Sequence, residues 1–386
     1  KKDLKILVAT PSNAACDHLA GKIMKNGIDL VRIGHAAKVN ARLHERTPIA
    51  LFQNSEAAGR IENYNKQIQQ LEKSVQKFHR NFSKEEREQR QHNRKEIKQL
   101  KKEIKSEKDH FYDQLIEQHQ VVCGTLIGIE KEMVNATDFD VCIIDEAGQA
   151  TTPALLVPVA KAQRFILAGD PLQLPPTVLH SEKAALKETL LSFYMTNDVP
   201  SHFLDTQYRM QQPIMDLINL LFYDGRLHMG IEAQQRECIT FIDTAGTGFE
   251  EAKSDNDSTY NEGEIKVIEQ FITQEDLQNG VIITPYSAQI EKIKATIKYL
   301  PVASVDAFQG SEAETVIFSC VRSNEDGQIG FLKDYRRLND ALSRAQKQLI
   351  IIGDSVTLSQ DPVFDKMLTF IQEQQVYRSA YEFEVF

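Results

Sequence analysis

No apolar run in the 386 residues is long enough to cross a bilayer, which argues against a membrane span. The first residues, Lys1-Lys2-Asp3-Leu4, lead straight into a strand-like run and lack the plan of a signal peptide. Cysteine is sparse. The five residues, Cys16, Cys123, Cys142, Cys238 and Cys320, are odd in number, scattered and without a C-x-x-C pair. That argues against a disulfide framework or a zinc site and for a reducing compartment, cytoplasmic or, in a eukaryote, nuclear. Positive charge is not in excess either: Lys and Arg total 45 against 55 Asp and Glu, a formal net charge of −10. Nucleic-acid binders are usually basic, so this balance weighs against such a partner unless a narrow cleft supplies local positive potential.

What is present reads as a soluble, globular chain, 41% hydrophobic and 26% charged, with a length suited to two or three domains. Lys5-Ile6-Leu7-Val8-Ala9 is a strand candidate that stops at Thr10-Pro11-Ser12-Asn13, where Ser12 or Asn13 can cap a helix. Val31-Arg32-Ile33 is a second strand candidate.

The pattern then changes. Ile61, Tyr64, Ile68, Leu71, Val75, Phe78 and Phe82 recur at alternating three- and four-residue spacings, a heptad seam. Ser83-Lys84-Glu85-Glu86 fits a capping box, and Ile97, Leu100, Ile104, Phe111 and Leu115 make a second seam. These features predict an antiparallel helical hairpin inserted at about 41–120. A structural spacer is the simplest role for it. A protein partner or phosphates touching Lys95, Lys98, Lys101, Lys102, Lys105 and Lys108 are the other options.

From Val121 onward the sequence reads as α/β. Short apolar runs without alternation suit strands buried on both faces of a parallel sheet: Val121–Thr125, Val141–Ile144 and Arg164–Ala168, then Thr240–Ile242, Val281–Ile283, Thr315–Phe318 and Leu349–Ile352. One intervening helix is capped at Asn261-Glu262-Gly263-Glu264. Two tandem parallel-sheet domains are expected, 1–197 and 198–386, with the boundary near Asp198-Val199-Pro200.

Chemistry concentrates at strand ends. Asp145-Glu146 follows an apolar strand, where one acid can hold Mg²⁺ and the next can orient a water. One strand later, Gly169-Asp170-Pro171-Leu172-Gln173-Leu174-Pro175-Pro176 forms a rigid turn that fixes the neutral amide of Gln173. Gln207-Tyr208-Arg209-Met210 and the run Arg336–Ala345 bring arginines from the second domain. Singly, each is best read as a surface ion pair.

Together with Val305-Asp306-Ala307-Phe308-Gln309-Gly310-Ser311-Glu312, these segments resemble the ordered motifs of superfamily 1 helicases. The nearest branch is that of the nonsense-mediated-decay helicase, senataxin and the immunoglobulin mu-binding helicase. The resemblance runs from about Ile6 to about Gln375, the helical insert excepted. It implies two RecA-like domains and 5′-to-3′ movement on single-stranded or duplex RNA or DNA, driven by ATP with Mg²⁺. It further implies that Asp145 coordinates the metal, Glu146 activates water, Gln173 senses the γ-phosphate, and Arg209 and Arg344 act as arginine fingers. Tyr208 would stack on the base and Glu312, beside Gly310, would contact the ribose. Thr10, Pro11, Ser12, Asn13, Thr125, Pro285, Tyr286 and Ser304 would line the single-strand track.

Three departures stand out. Asp340 and Ser343 replace the Val and Thr of the family's last motif, and Ser311 stands where Arg is common. An acid at 340, one helical turn from Arg344, is expected to weaken the positive potential there. Most importantly, no G-x-x-x-x-G-K run followed by Ser or Thr occurs, so the chain is expected to begin just after the family's phosphate loop and to be inactive alone. A catalytically silent scaffold that binds a partner through the hairpin is the alternative. The retained Asp145, Glu146, Gln173, Arg209 and Arg344 weigh against it.

Overall fold

The computed structural model describes residues 4–76, 83–132, 139–178, 186–197, 199–232 and 237–385. Phe78, Phe82 and Asp198, used in the sequence reading, lie outside this set. The chain divides into two compact units: Lys1–Asp170 with Pro176–Thr196, and Pro171–Pro175 with Asn197–Phe386.

The first unit holds a parallel five-stranded sheet. Its strands are β1 (Ile6–Thr10), β2 (Leu30–Arg32), β3 (Val121–Thr125), β4 (Phe139–Ile144) and β5 (Ala162–Leu167), in spatial order β2-β3-β1-β4-β5. Alternate residues serve opposite faces. Leu7, Ala9, Val122 and Cys142 join one buried cluster, and Val8, Cys123 and Leu30 the other. Helix α1 (Asn13–Lys25) closes the second face with Cys16 and Ala20. Ser12 is its cap, accepting from Ala15 N at 3.1 Å.

Strand β5 departs from the sequence reading. Gln163 to Ile166 are exposed, with Phe165 at 37% and Ile166 at 55%. It is the edge of the sheet, and no strand among the described residues pairs with its outer side.

The hairpin is present. After the short α2 (Pro48–Gln53), α3 (Glu56–Gln76) packs along α4 (Lys84–Gln118). Both bonds of the capping box form: Glu86 N to Ser83 Oγ at 3.1 Å and Ser83 N to Glu86 Oε2 at 2.8 Å. A two-helix seam buries little. Ile61, Ile68, Leu100 and Leu115 are buried, whereas Tyr64, Leu71, Ile97 and Ile104 stay half-exposed. Polar pairs supplement the seam: buried Asn93 donates to Ser74 Oγ at 2.7 Å, and Arg60 meets Glu107 at 2.9 Å. Helices α5 (Leu126–Glu132), α6 (Thr152–Val159) and α7 (Leu190–Met195) complete the unit.

The second unit has a six-stranded, all-parallel sheet. A small parallel pair, β6 (Thr206–Gln207) with β7 (His228–Met229), precedes β8 (Ile239–Asp243). The antiparallel pair β9 (Ala252–Lys253) and β10 (Thr259–Tyr260) follows, then β11 (Val281–Ile283), β12 (Val302–Ala303), β13 (Ala313–Ser319), β14 (Ala345–Gly353) and β15 (Val376–Ser379). The main order is β12-β11-β13-β14-β8-β15. Its helices are α8 (Gln212–Ile218), α9 (Glu262–Gln274), α10 (Ser287–Thr296), α11 (Tyr335–Leu342), α12 (Ser355–Leu358) and α13 (Pro362–Gln374). Ile282, Ile317 and Ile350 face α9 and α10, while Val281, Val316, Phe318, Leu349 and Ile351 fill the opposite cluster with α8, α11 and α13.

Carboxylates lie inside this unit, Glu264 and Asp340 among them. Glu264, in the first turn of α9, accepts from Ser319 Oγ at 2.6 Å and Val321 N at 2.8 Å. Burial pushes its carboxyl up to about 8, against the pull of those bonds. Asn261 caps α9 as expected, accepting from Glu264 N at 3.1 Å. Both units are thus RecA-like parallel sheets, the first carrying the helical insert. No helix among the described residues is long and apolar enough to cross a membrane.

Candidate active site

In the first unit, β4 delivers Asp145-Glu146 to the carboxyl edge of the sheet. Asp145 N donates to Ala9 O at 3.0 Å, which continues the β1–β4 ladder by one residue. The Asp145 carboxylate accepts from Glu146 N at 3.0 Å. Glu146 then takes a left-handed conformation, φ 55°, and its carboxylate accepts from Gln149 Nε2 at 2.5 Å. Such conformations cost a non-glycine residue about 1–3 kcal/mol and gather at functional turns.

The following strand's turn is fitted against this one. Ala147 N donates to Ala168 O at 2.9 Å. A Cβ on Gly169 would lie 3.1 Å from the backbone nitrogens of Ala147 and Gly148, and one on Gly148 would lie 3.0 Å from Asp170 O. The glycines of both motifs are therefore close-approach residues that hold one turn against the other. The hard oxygens of Asp145 at a strand end suit Mg²⁺.

The Thr10–Asn13 segment follows β1. Thr10 is fully buried and its hydroxyl donates to Ser12 O at 2.8 Å, so its side chain is a turn-former and does not line a surface as expected. Pro11 is half-buried and Ser12 is exposed. Asn13 is held by Arg32, which donates to its Oδ1 at 3.1 Å and pairs with Asp17 at 2.7 Å. The sequence reading missed Arg32, since a charge inside a strand gives no local signal of what it supports. Thr125 accepts from Gly128 N at 3.2 Å, at the mouth of the next strand.

In the second unit, five predicted residues gather. Gln207 organises the turn: its Oε1 accepts from Arg209 N and Met210 N, both at 2.8 Å, and its Nε2 donates to Met210 O at 2.9 Å. Tyr208 thereby stands 68% exposed, its ring against the backbone of Gly230. Arg209 Nε donates to Glu312 Oε2 at 2.8 Å and its Nη1 to Ser343 O at 3.3 Å. Glu312 also accepts from Gln346 Nε2 at 2.8 Å. Gly310, φ 75°, makes the bend that carries Ser311 and Glu312 there. Arg344 ends the constellation and donates to Ser311 O at 3.3 Å.

Burial and pairing restrict several of the expected residues. Arg344 is 5% exposed and pairs with Asp340, which is wholly buried. Burial raises the Asp340 carboxyl pKa, and the Arg344 guanidinium opposes the rise. Arg209 and Glu312 pair with each other, their side chains 37% and 48% exposed. Tyr286, expected on the strand track, is 2% exposed with its hydroxyl donating to Ile329 O at 3.3 Å. The neighbouring Pro285 and Ser304 are half-buried, Ser304 accepting from Ala307 N at 3.1 Å.

Gln173 belongs by contact to the second unit. The flanking Leu174 is buried in that unit's core, and Leu172 O accepts from Asn339 Nδ2 at 3.0 Å. The five cysteines are all buried and free, and burial pushes Cys16 and Cys238 up to about 11. No cluster of metal-ligating side chains occurs among the described residues.

These features define a chain of two RecA-like units with polar residues gathered at strand ends. Comparison with known proteins agrees. Two family profiles, each described as an AAA domain, match residues 1–181 and 186–356. The regulator of nonsense transcripts 1 homolog of Drosophila melanogaster is 30% identical over 96% of this chain and 32% of its own length. The DNA-binding protein SMUBP-2 of Mesocricetus auratus is 31% identical over 99% of this chain and 42% of its own. The chain therefore spans roughly a third to two fifths of these curated relatives. Among solved structures, an arterivirus nonstructural protein 10 (helicase) aligns over 95% of this chain and 56% of its own, at 13% identity and a TM-score of 0.46. That likeness is too loose to argue from, and the sheet orders above stand without it. The chain belongs to the superfamily 1 helicases, in the branch of the regulators of nonsense transcripts and the SMUBP-2 proteins.

Proposed function

We propose that the protein is an ATP-dependent helicase or translocase acting on single-stranded or duplex RNA or DNA, with 5′-to-3′ travel. The observation that carries this reading is the gathering of Tyr208, Arg209, Gly310, Glu312 and Arg344 within one unit, from segments far apart in sequence. The interlocked turns of Asp145-Glu146 and Gly169-Asp170 support it from the other unit. On this reading Asp145 holds Mg²⁺, which neutralises phosphate charge, and Glu146 orients the attacking water. Gln173 reads the terminal phosphate. Arg209 and Arg344 stabilise charge on the transferring group, each worth about 10³–10⁵ in rate in related chemistry. Tyr208 offers its exposed ring to the base. Pro11, Ser12, Asn13, Thr125, Pro285 and Ser304 grip the strand without reading its sequence.

Two measurements test the reading. The full-length protein is expected to bind a single-stranded oligonucleotide with an affinity that falls as salt rises, because phosphate contacts release counterions. A salt-independent affinity would point instead to a scaffold. Its ATP turnover is expected to rise when the strand is added. Residues 1–386, which contain no phosphate-loop motif, are expected to show no turnover alone. Strand-stimulated hydrolysis by residues 1–386 would contradict the assignment of phosphate gripping to such a loop.

A further inference from the structure

We propose that Asp340 is a positioning residue that withholds Arg344, competing with phosphate for its guanidinium. The inference rests on the reading of Arg344 as a phosphate-facing group. Asp340 stands on α11 (Tyr335–Leu342), one helical turn before Arg344.

The geometry favours retention. Asp340 is 0% and Arg344 5% exposed, so their attraction is little screened by water. One Arg344 nitrogen donates to Asp340 Oδ1, and Nη1 donates to Ser311 O at 3.3 Å. The pair is nonetheless incomplete, because Arg344 Nε and Asp340 Oδ2 are buried without a partner. A half-satisfied buried pair is held by mutual need, since either charge left alone in that setting is costly.

The two partners are not equally mobile. Asp340 has a short side chain on α11, between buried Asn339 and Ala341. Arg344 follows the helix end and has a long, flexible stem. A competing anion would therefore draw Arg344 away and leave Asp340 buried and alone. The contact thus opposes release of the arginine. The second arginine differs. Arg209 and Glu312 have side chains 37% and 48% exposed, and an exposed pair yields easily to a competing phosphate. Of the two, Arg344 is the one under restraint.

Removing the charge at 340 should free the arginine, because a buried guanidinium without a counter-charge is driven toward any available anion. The test is steady-state ATP turnover of the full-length protein at saturating strand. Asp340→Asn, which keeps the shape and removes the charge, is expected to raise kcat/KM for ATP severalfold. Asp340→Val is expected to act in the same direction and carries the test if Asp340→Asn melts early. In an Arg344→Ala background, Asp340→Asn is expected to give no gain. An unchanged or lower kcat/KM in variants whose melting temperature is maintained would overturn the proposal, and so would a gain that persists without Arg344. If Arg344→Ala alone leaves turnover intact, the reading of Arg344 is wrong and the proposal falls with it. A loss of strand stimulation in the wild type would instead indict the functional reading as a whole.

Discussion

Glycine 169 shows how much one side chain can matter at a packed turn. Its missing Cβ leaves room for the backbone of Ala147 and Gly148, which carries the acid pair. Gly169→Ala is expected to lower stability by about 1–3 kcal/mol, the usual cost of overpacking, and to lower turnover with it. Denaturant unfolding beside an ATP assay checks both, and an unchanged midpoint would refute the close-approach argument. At this scale the sequence was legible where a motif is contiguous: Asp145-Glu146, Gly169-Asp170 and Gln207–Met210 all lie at strand or turn ends. It was not legible where a contact spans distance. The Arg209–Glu312 pair joins residues 103 positions apart, and no local spacing announces that an expected finger and an expected ribose contact will bind each other.

At the scale of elements, the hairpin and most strands could be read directly, because heptad spacing and apolar runs are local patterns. The misses have physical causes. Strand β12 contributes only Val302 and Ala303, too short to stand out. Strand β15, Val-Tyr-Arg-Ser, is polar enough to pass for a loop. Strand β5 was read as buried because its residues are apolar, but exposure depends on neighbours, and it lies at a sheet edge. The α4 cap gives a local prediction. Ser83→Ala is expected to cost about 1 kcal/mol of helix stability. Hydrogen exchange should show faster exchange at the Glu86 amide, which Ser83 Oγ now accepts from at 3.1 Å. Unchanged protection there would mean the capping bond contributes nothing.

At the scale of the whole molecule, one buried carboxylate sets a pH dependence. Glu264 titrates at about 8 when folded, whereas its ordinary value is 4.5. Below pH 4.5 both folded and unfolded chains carry the proton and the group is neutral in its effect. Between pH 4.5 and about 8 the unfolded chain loses the proton while the folded one keeps it, so stability falls as pH rises. The full slope is about 1.4 kcal/mol per pH unit. Glu264→Gln, which cannot titrate, is expected to flatten that part of the profile in denaturant unfolding. A parallel profile for the two proteins would show that Glu264 is not the source. The partners Ser319 and Val321 are 55 and 57 residues away, which is why a carboxylate read only as part of a helix cap concealed this role.

The central claim is that Asp145-Glu146 is the metal and water half of an ATP-hydrolysing site. Strand-stimulated turnover of full-length Glu146→Gln tests it most directly, with nucleotide affinity measured on the same sample. The account predicts affinity close to wild type and turnover lower by several orders of magnitude. Wild-type turnover in that variant would remove Glu146 from the chemistry and contradict the account.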